Sequence, residues 1–130
     1  MDLDAAPGAE KIDEDLHSRQ LAVYGRGAMA KMMAADILIC GAGGLGQEVA
    51  KNVILAGVHS VTIHDQQAVR LADLGAAFYF TEADVGQNKA DACREKLQEL
   101  NTAVDVVSST CDLTPDFLGR FQVRHSDPRI

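Results

Sequence analysis

The chain is first defined by what it does not contain. No apolar run reaches the length of a membrane span. The opening Met1-Asp-Leu-Asp-Ala-Ala-Pro7 is acidic and has no apolar h-region, so no secretory signal is expected. There are only three cysteines, Cys40, Cys93 and Cys111, and no two are spaced as a metal knuckle or a C-x-x-C redox pair. An odd count without an export signal points to a reducing compartment, and all three thiols are expected to be structural. The histidines His17, His59, His64 and His125 fit no Cys/His ligand spacing and no nucleophile triad is evident, so no metal site is expected. Basic residues are outnumbered 12 to 19, for a net charge of −7. A duplex-binding surface needs a basic face, and none is visible; neither nucleic acid nor membrane is an expected partner.

What is present is the profile of one globular domain: 130 residues, 47% hydrophobic and 24% charged. The acidity is uneven. Asp2, Asp4, Glu10, Asp13, Glu14 and Asp15 crowd the first fifteen residues against the single base Lys11. Residues 1–11 have no periodicity and read as a flexible tail. From Asp13 to Ala34 the pattern is helical, through Leu16, Leu21 and Tyr24 and then Met29, Met32 and Met33, with Gly25 and Gly27 dividing it into two short helices. The methionines read as core filler.

Ile37–Cys40 is predicted as a strand and residues 44–56 as a helix, whose apolar stripe would be Leu45, Val49, Val53 and Leu55 or Ala56, with Gln47, Glu48, Lys51 and Asn52 outside it. Gly57 would close that helix. Ser60–His64 is β-branched and reads as a second strand ending at Asp65. Residues 66–85 are irregular, with a turn at 71–74. Asn88–Asn101 is a helix carrying Ala90, Cys93, Leu97 and Leu100 inward, and Ala103–Ser108 is a third strand. Thr114-Pro115-Asp116 opens a short helix with Phe117, Leu118 and Phe121 facing inward. Phe121–Val123 starts a fourth strand that the polar segment Arg124–Ile130 is not expected to continue. The alternation predicts an α/β fold: a Rossmann-like, doubly wound, mostly parallel sheet with N-terminal helices, incomplete at its C-terminal side. The edge after the third strand would lie exposed, and such a chain would fold poorly or associate.

The chemistry concentrates at Gly41-Ala-Gly-Gly-Leu-Gly46, a G-x-G-x-x-G loop between the first strand and its helix. Gly41 permits the tight turn, Gly43 lets backbone approach a pyrophosphate, and Gly46 lets the helix pack closely. The helix N-terminus offers free N–H groups to an anion. Asp65, 19 residues past Gly46, stands near the spacing for a ribose hydroxyl. This much fits a small NAD- or FAD-binding domain.

Four further segments point elsewhere: Asp15-Leu-His-Ser-Arg-Gln-Leu21, Ala50-Lys-Asn-Val-Ile-Leu-Ala-Gly-Val58, Ala72-Asp-Leu-Gly-Ala-Ala-Phe-Tyr-Phe80 and Asp84-Val-Gly-Gln-Asn-Lys89. In that order, over about Ile12 to Val123, they resemble the ubiquitin-activating enzymes, of a superfamily that includes the bacterial adenylyltransferases of molybdopterin and thiamine synthesis. The resemblance implies two adenylation domains in pseudo-two-fold contact, one active and one inactive, and this chain is similar to the inactive one. Its domains would be an acidic tail at 1–11, a partial ThiF-type adenylation domain at 12–123 and an unrelated tail at 124–130, a truncated product. The active copy reads Asn-Leu-Asn-Arg-Gln-Phe where this chain has Asp73-Leu74-Gly75-Ala76-Ala77-Phe78, so the arginine and glutamine that serve the nucleotide are both alanine here.

The resemblance further implies that Arg19 reaches across the pseudo-dimer to the ATP phosphates of the active half. Lys89 matches a lysine near the phosphates. Gly41, Gly43, Gly46, Asp65 and Lys89 form a degenerate cofactor-binding set, with a retained scaffold as the alternative role for the glycines and a strand-end cap for Asp65. ATP and magnesium belong to the parent enzyme; whether this segment holds any nucleotide stays open, and the acidic magnesium ligand of the family lies beyond it. The expected partners are an active adenylation domain, in the same or another chain, and ubiquitin or a ubiquitin-like protein. The expected location is cytoplasmic or nuclear, and the isolated chain is expected to be inactive. A non-catalytic subunit that pairs with a separate active subunit is the other reading.

Overall fold

A computed structural model of the chain describes residues 27 and 30–126. The two predicted N-terminal helices therefore lie largely outside the described residues, which take up the chain in the helical stretch 30–33. Four strands follow: β1 (Asp36–Cys40), β2 (Ser60–His64), β3 (Asp105–Ser109) and β4 (Val123–Ser126). Helix α1 (Gly44–Ala56) joins β1 to β2, α2 (Lys89–Leu100) precedes β3, and the one-turn α3 (Pro115–Leu118) precedes β4. Two 3-10 turns, Leu71–Gly75 and Glu82–Asp84, punctuate the crossover from β2 to α2. The four strands pair in parallel, in the order β3-β2-β1-β4. The chain winds outward from β1 to β3 and then returns to place β4 on the other side of β1. The order therefore reverses at the carboxyl end of β1, where such sheets open a crevice.

Alternation along the strands assigns the two faces. Ile37, Ile39, Val61, Ile63 and Val106 meet Ala50 and Ile54 of α1 and Ala90, Cys93 and Leu97 of α2 in one core. Leu38, Cys40, Thr62 and His64 point to the opposite face and are also buried. On that face Phe117 of α3 stands 6.4 Å from the His64 ring and 5.3 Å from Phe121. The boundaries have local causes. Gly57 ends α1 at φ 88°, a left-handed conformation that suits glycine, and its N–H returns to Ile54 O. Asn88 caps α2 by accepting from the Asp91 N–H, and Thr114 caps α3 by accepting from the Phe117 N–H.

Four expectations are corrected. The buried stripe of α1 is Gly46, Gln47, Ala50 and Ile54; of the expected stripe Val49 and Val53 are half-buried against the core, whereas Leu45 and Leu55 are exposed. The helix is turned because Gln47, 2% exposed, finds both of its partners inside: Nε2 donates to Ala42 O at 3.0 Å and Oε1 accepts from the Tyr79 N–H at 3.0 Å. Strand β3 starts at Asp105 rather than Ala103, because Asn101 holds the preceding turn through the N–H groups of Ala103 and Val104. Strand β4 does form, through Arg124 to Ser126, in register with Leu38 to Cys40. Polar residues are tolerated there because β4 is an edge strand that is mostly exposed. The edge at β3 is not bare either. Gln98 donates to Val104 O and accepts from the Val106 N–H, and Arg94 donates to Val106 O, so side chains of α2 occupy backbone groups that would otherwise invite another strand.

Between residues 31–35, α1 and the start of β4 lies an apolar hollow of about 690 Å³, bordered by Met32, Ile37, Val53, Val58 and Val123. No described helix is long and apolar enough to cross a membrane.

Gln47 is the polar residue on which α1 and the crossover both depend. Replacing it by Leu leaves the Ala42 carbonyl and the Tyr79 N–H without partners. A loss of about 2–4 kcal/mol is expected in urea unfolding, while a change under about 0.5 kcal/mol would show the strap to be dispensable.

Candidate functional site

The glycine loop leaves β1 at the reversal of strand order. Gly41 has φ 109°, open only to glycine at low cost, and its N–H donates to His64 O at 2.7 Å. A Cβ on Gly46 would lie 1.7 Å from Gly41 O, so close contact of helix and loop requires glycine there. A Cβ on Gly44 would lie 2.3 Å from Ala76 O, so the crossover segment rests directly on the first residue of α1. Gly43 differs: its φ is −80° and no heavy atom lies within 4 Å of a Cβ built on it. It faces the cavity, and no acidic side chain in the first turn of α1 offsets the helix dipole.

Asp65, 6% exposed, has both carboxylate oxygens engaged by backbone. Oδ2 accepts from the Ala42 N–H at 2.9 Å and Oδ1 from the Gln67 N–H at 2.8 Å. Its own N–H donates to Ser109 O, and its carbonyl accepts from Asn88 Nδ2 at 2.7 Å. Lys89, 7% exposed, projects from the start of α2 into the same cavity, where Nζ donates to Gln67 Oε1 at 3.3 Å and lies 3.7 Å from Asp73 Oδ2. That oxygen also accepts from the Arg70 N–H at 2.7 Å and stands 3.8 Å from Arg70 Nε. Gly41, Gly43, Asp65 and Lys89 thus line one cavity of about 230 Å³, together with Gln67, Arg70, Asp73, Ala76 and Ala77. Gly46 stays beneath it as packing. Arg19 lies outside the described residues.

A second cavity of about 370 Å³ shares Gly41, Asp65 and Gln67 and reaches Cys40, His64 and Ser126. Burial holds the His64 imidazole below its ordinary pKa and pushes the Cys40 thiol up. Cys93, deeper in the core, is pushed up to about 12. Both buried thiols are poor nucleophiles. Cys111 is exposed, its Sγ 3.2 Å from Ser109 Oγ, which is 3.1 Å from His64 Nδ1. Among the described residues no three His, Cys, Asp or Glu side chains gather as a metal site.

Sequence reasoning missed Gly44, Gln67, Arg70 and the placement of Asp73. The first could have been suspected from the doubled glycine after Gly43. No local pattern marks Gln67 or Arg70, which enter only through the fold of the crossover.

The residues present do not fit a bound triphosphate. The loop N–H groups and Lys89 are in place, but Ala76 and Ala77 offer only methyl groups at the cavity wall. Asp73 stands beside the ammonium that would meet the phosphates.

Comparison with known proteins places this geometry. Residues 17–124 match the model of the ThiF family. The chain is 59% identical over 114 residues to ubiquitin-activating enzyme E1 2 of Arabidopsis thaliana, covering 88% of the chain and 11% of that protein. It is 57% identical over 112 residues to ubiquitin-activating enzyme E1 1 of Triticum aestivum and 48% identical over 112 to ubiquitin-like modifier-activating enzyme 1 of Homo sapiens, in each case 86% of the chain and 11% of the relative. The chain therefore spans about a tenth of the length of these relatives. Among solved structures, E. coli TcdA superposes with a TM-score of 0.74 at 20% identity, over 88% of this chain and 47% of that one. A tRNA threonylcarbamoyladenosine dehydratase form of TcdA in complex with ATP gives 0.69 at 22%, over 82% and 44%. At those identities the likeness is one of fold.

The glycines separate by substitution. Gly46→Ala forces a methyl into the Gly41 carbonyl and is expected to cost at least about 3 kcal/mol or prevent folding. Gly43→Ala meets open space, and its urea midpoint should move by less than about 0.5 kcal/mol equivalent. Equal effects of the two substitutions would contradict the assignment of one to packing and the other to the cavity wall.

Proposed function

The chain belongs to the ThiF family, and from that premise we propose that it is a segment of a ubiquitin-activating enzyme: the half of an adenylating pair that holds no reacting nucleotide. The observation that carries this reading is identity of 57–59% with ubiquitin-activating enzymes over nearly the whole chain. The cavity supports the choice of the inactive half, since Ala76 and Ala77 supply no phosphate clamp and Asp73 opposes Lys89. A nicotinamide or flavin domain is less well supported, because the relatives at 57–59% identity are ubiquitin-activating enzymes.

In this reading the active half binds Mg·ATP and the C-terminus of ubiquitin or a ubiquitin-like protein. The carboxylate attacks the α-phosphorus, pyrophosphate leaves, and the acyl-adenylate passes to an enzyme thiol. This segment builds one side of the pair and contributes Arg19, whose guanidinium stabilises charge on the phosphates. The active half sits in the same chain or in a partner, in the cytoplasm or nucleus. Apolar surface supports a covering partner: among the described residues Phe78 is 89% and Leu71 69% exposed.

ATP–pyrophosphate exchange tests the reading. The chain alone with ubiquitin should show none, and the chain assembled with an active half should show exchange that falls roughly 10²-fold or more in Arg19→Ala. Exchange by the chain alone, or an Arg19→Ala complex equal to wild type, would overturn it.

A further inference from the structure

The ammonium of Lys89 is the buried cation of the glycine-loop cavity, and what faces it is a carboxylate of the chain's own. An ammonium carries three donors. Gln67 Oε1 takes one at 3.3 Å, and Asp73 Oδ2 stands at 3.7 Å, within ion-pair reach. The same Oδ2 is pinned by the Arg70 N–H at 2.7 Å and lies 3.8 Å from Arg70 Nε. Asp73 therefore confronts both cations of the cavity. The Lys89 side chain is 9% exposed and that of Asp73 17%, so solvent screens their pair only in part, whereas Arg70 at 74% is largely screened. With Asp65 also in the lining, two carboxylates balance two cations and leave no net positive field for a polyphosphate.

The shape of the loop is not what refuses an anion. Gly43 leaves open space, and the first turn of α1 carries no acid. Beyond the missing clamp at Ala76 and Ala77, the charge that opposes an anion beside Lys89 resides in one side chain whose other task, accepting from the Arg70 N–H, an uncharged amide or hydroxyl could perform.

We infer that Asp73 is a built-in counter-anion that pairs with Lys89 and makes the glycine-loop cavity reject phosphate anions, and that removal of this single charge converts the cavity into a polyphosphate site. The inference deepens the reading of this segment as the half without a reacting nucleotide, and rests on it.

The test titrates inorganic pyrophosphate by calorimetry into the 130-residue chain as wild type, Asp73→Asn, Asp73→Ser, and Asp73→Asn combined with Lys89→Gln. Asn and Ser retain an acceptor for the turn, and two variants guard against one failing to fold. The expected result is at least about tenfold tighter binding by Asp73→Asn than by wild type, lost again in the Lys89→Gln double variant. Binding by wild type within about threefold of Asp73→Asn, no binding by either folded Asp73 variant, or binding that survives Lys89→Gln would each overturn the inference. Failure of the underlying reading is separately visible. It would appear as ATP–pyrophosphate exchange by the wild-type chain alone, whatever the Asp73 variants bind.

Discussion

The carboxylate of Asp65 is the interaction on which the rest of this structure depends. One buried residue at the end of β2 makes four hydrogen bonds to four different segments: Oδ2 to the glycine loop at Ala42, Oδ1 to Gln67, its N–H to the end of β3 at Ser109, and its carbonyl to Asn88 at the cap of α2. A charged acceptor holding two backbone N–H groups makes stronger bonds than a neutral one, and leaving those donors unpaired at this depth would be costly. The carboxyl ends of β1, β2 and β3 are thereby brought to one place.

Everything at the cavity follows from that anchorage. The Ala42 contact sets the path of the loop, and the loop path brings Gly46 against Gly41. Gln47 then reaches back to Ala42 and out to Tyr79, seating the crossover so that Ala76 rests on Gly44 and Asp73 faces Lys89. Gly41, Asp65, Asp73 and Lys89, which line the cavity, are joined to one another or to neighbouring backbone. Helix, loop and crossover pack through Gly44 and Gly46, and Gly41 takes the positive φ of the turn.

The legible part of this fold is the part governed by short-range rules. Strands β1 and β2, the extent of α1, the Gly57 stop, the Asn88 start of α2 and the Thr114-Pro115 start of α3 all follow from periodicity and capping within a few residues. The misreadings share a different origin. Gln47 looked like a surface residue because its partners lie 5 and 32 positions away, and one of them exists only after the crossover has folded. Strand β4 looked impossible because polarity was weighed as if for an interior strand, while its position at an edge is fixed by the return of the chain past β1. The cavity was half legible: the glycines, Asp65 and Lys89 could be placed from motif and resemblance, but that Asp65 turns inward to the backbone and Asp73 outward to Lys89 depends on tertiary geometry alone.

The most direct test of Asp65 as a structural anchor is urea unfolding of the 130-residue chain carrying Asp65→Asn. An amide in that position must turn an NH₂ group toward the N–H of Ala42 or of Gln67, donor against donor. The account predicts a loss of about 2–4 kcal/mol with an unchanged m-value. Stability within about 0.5 kcal/mol of wild type would contradict it and return Asp65 to the role of a ligand contact.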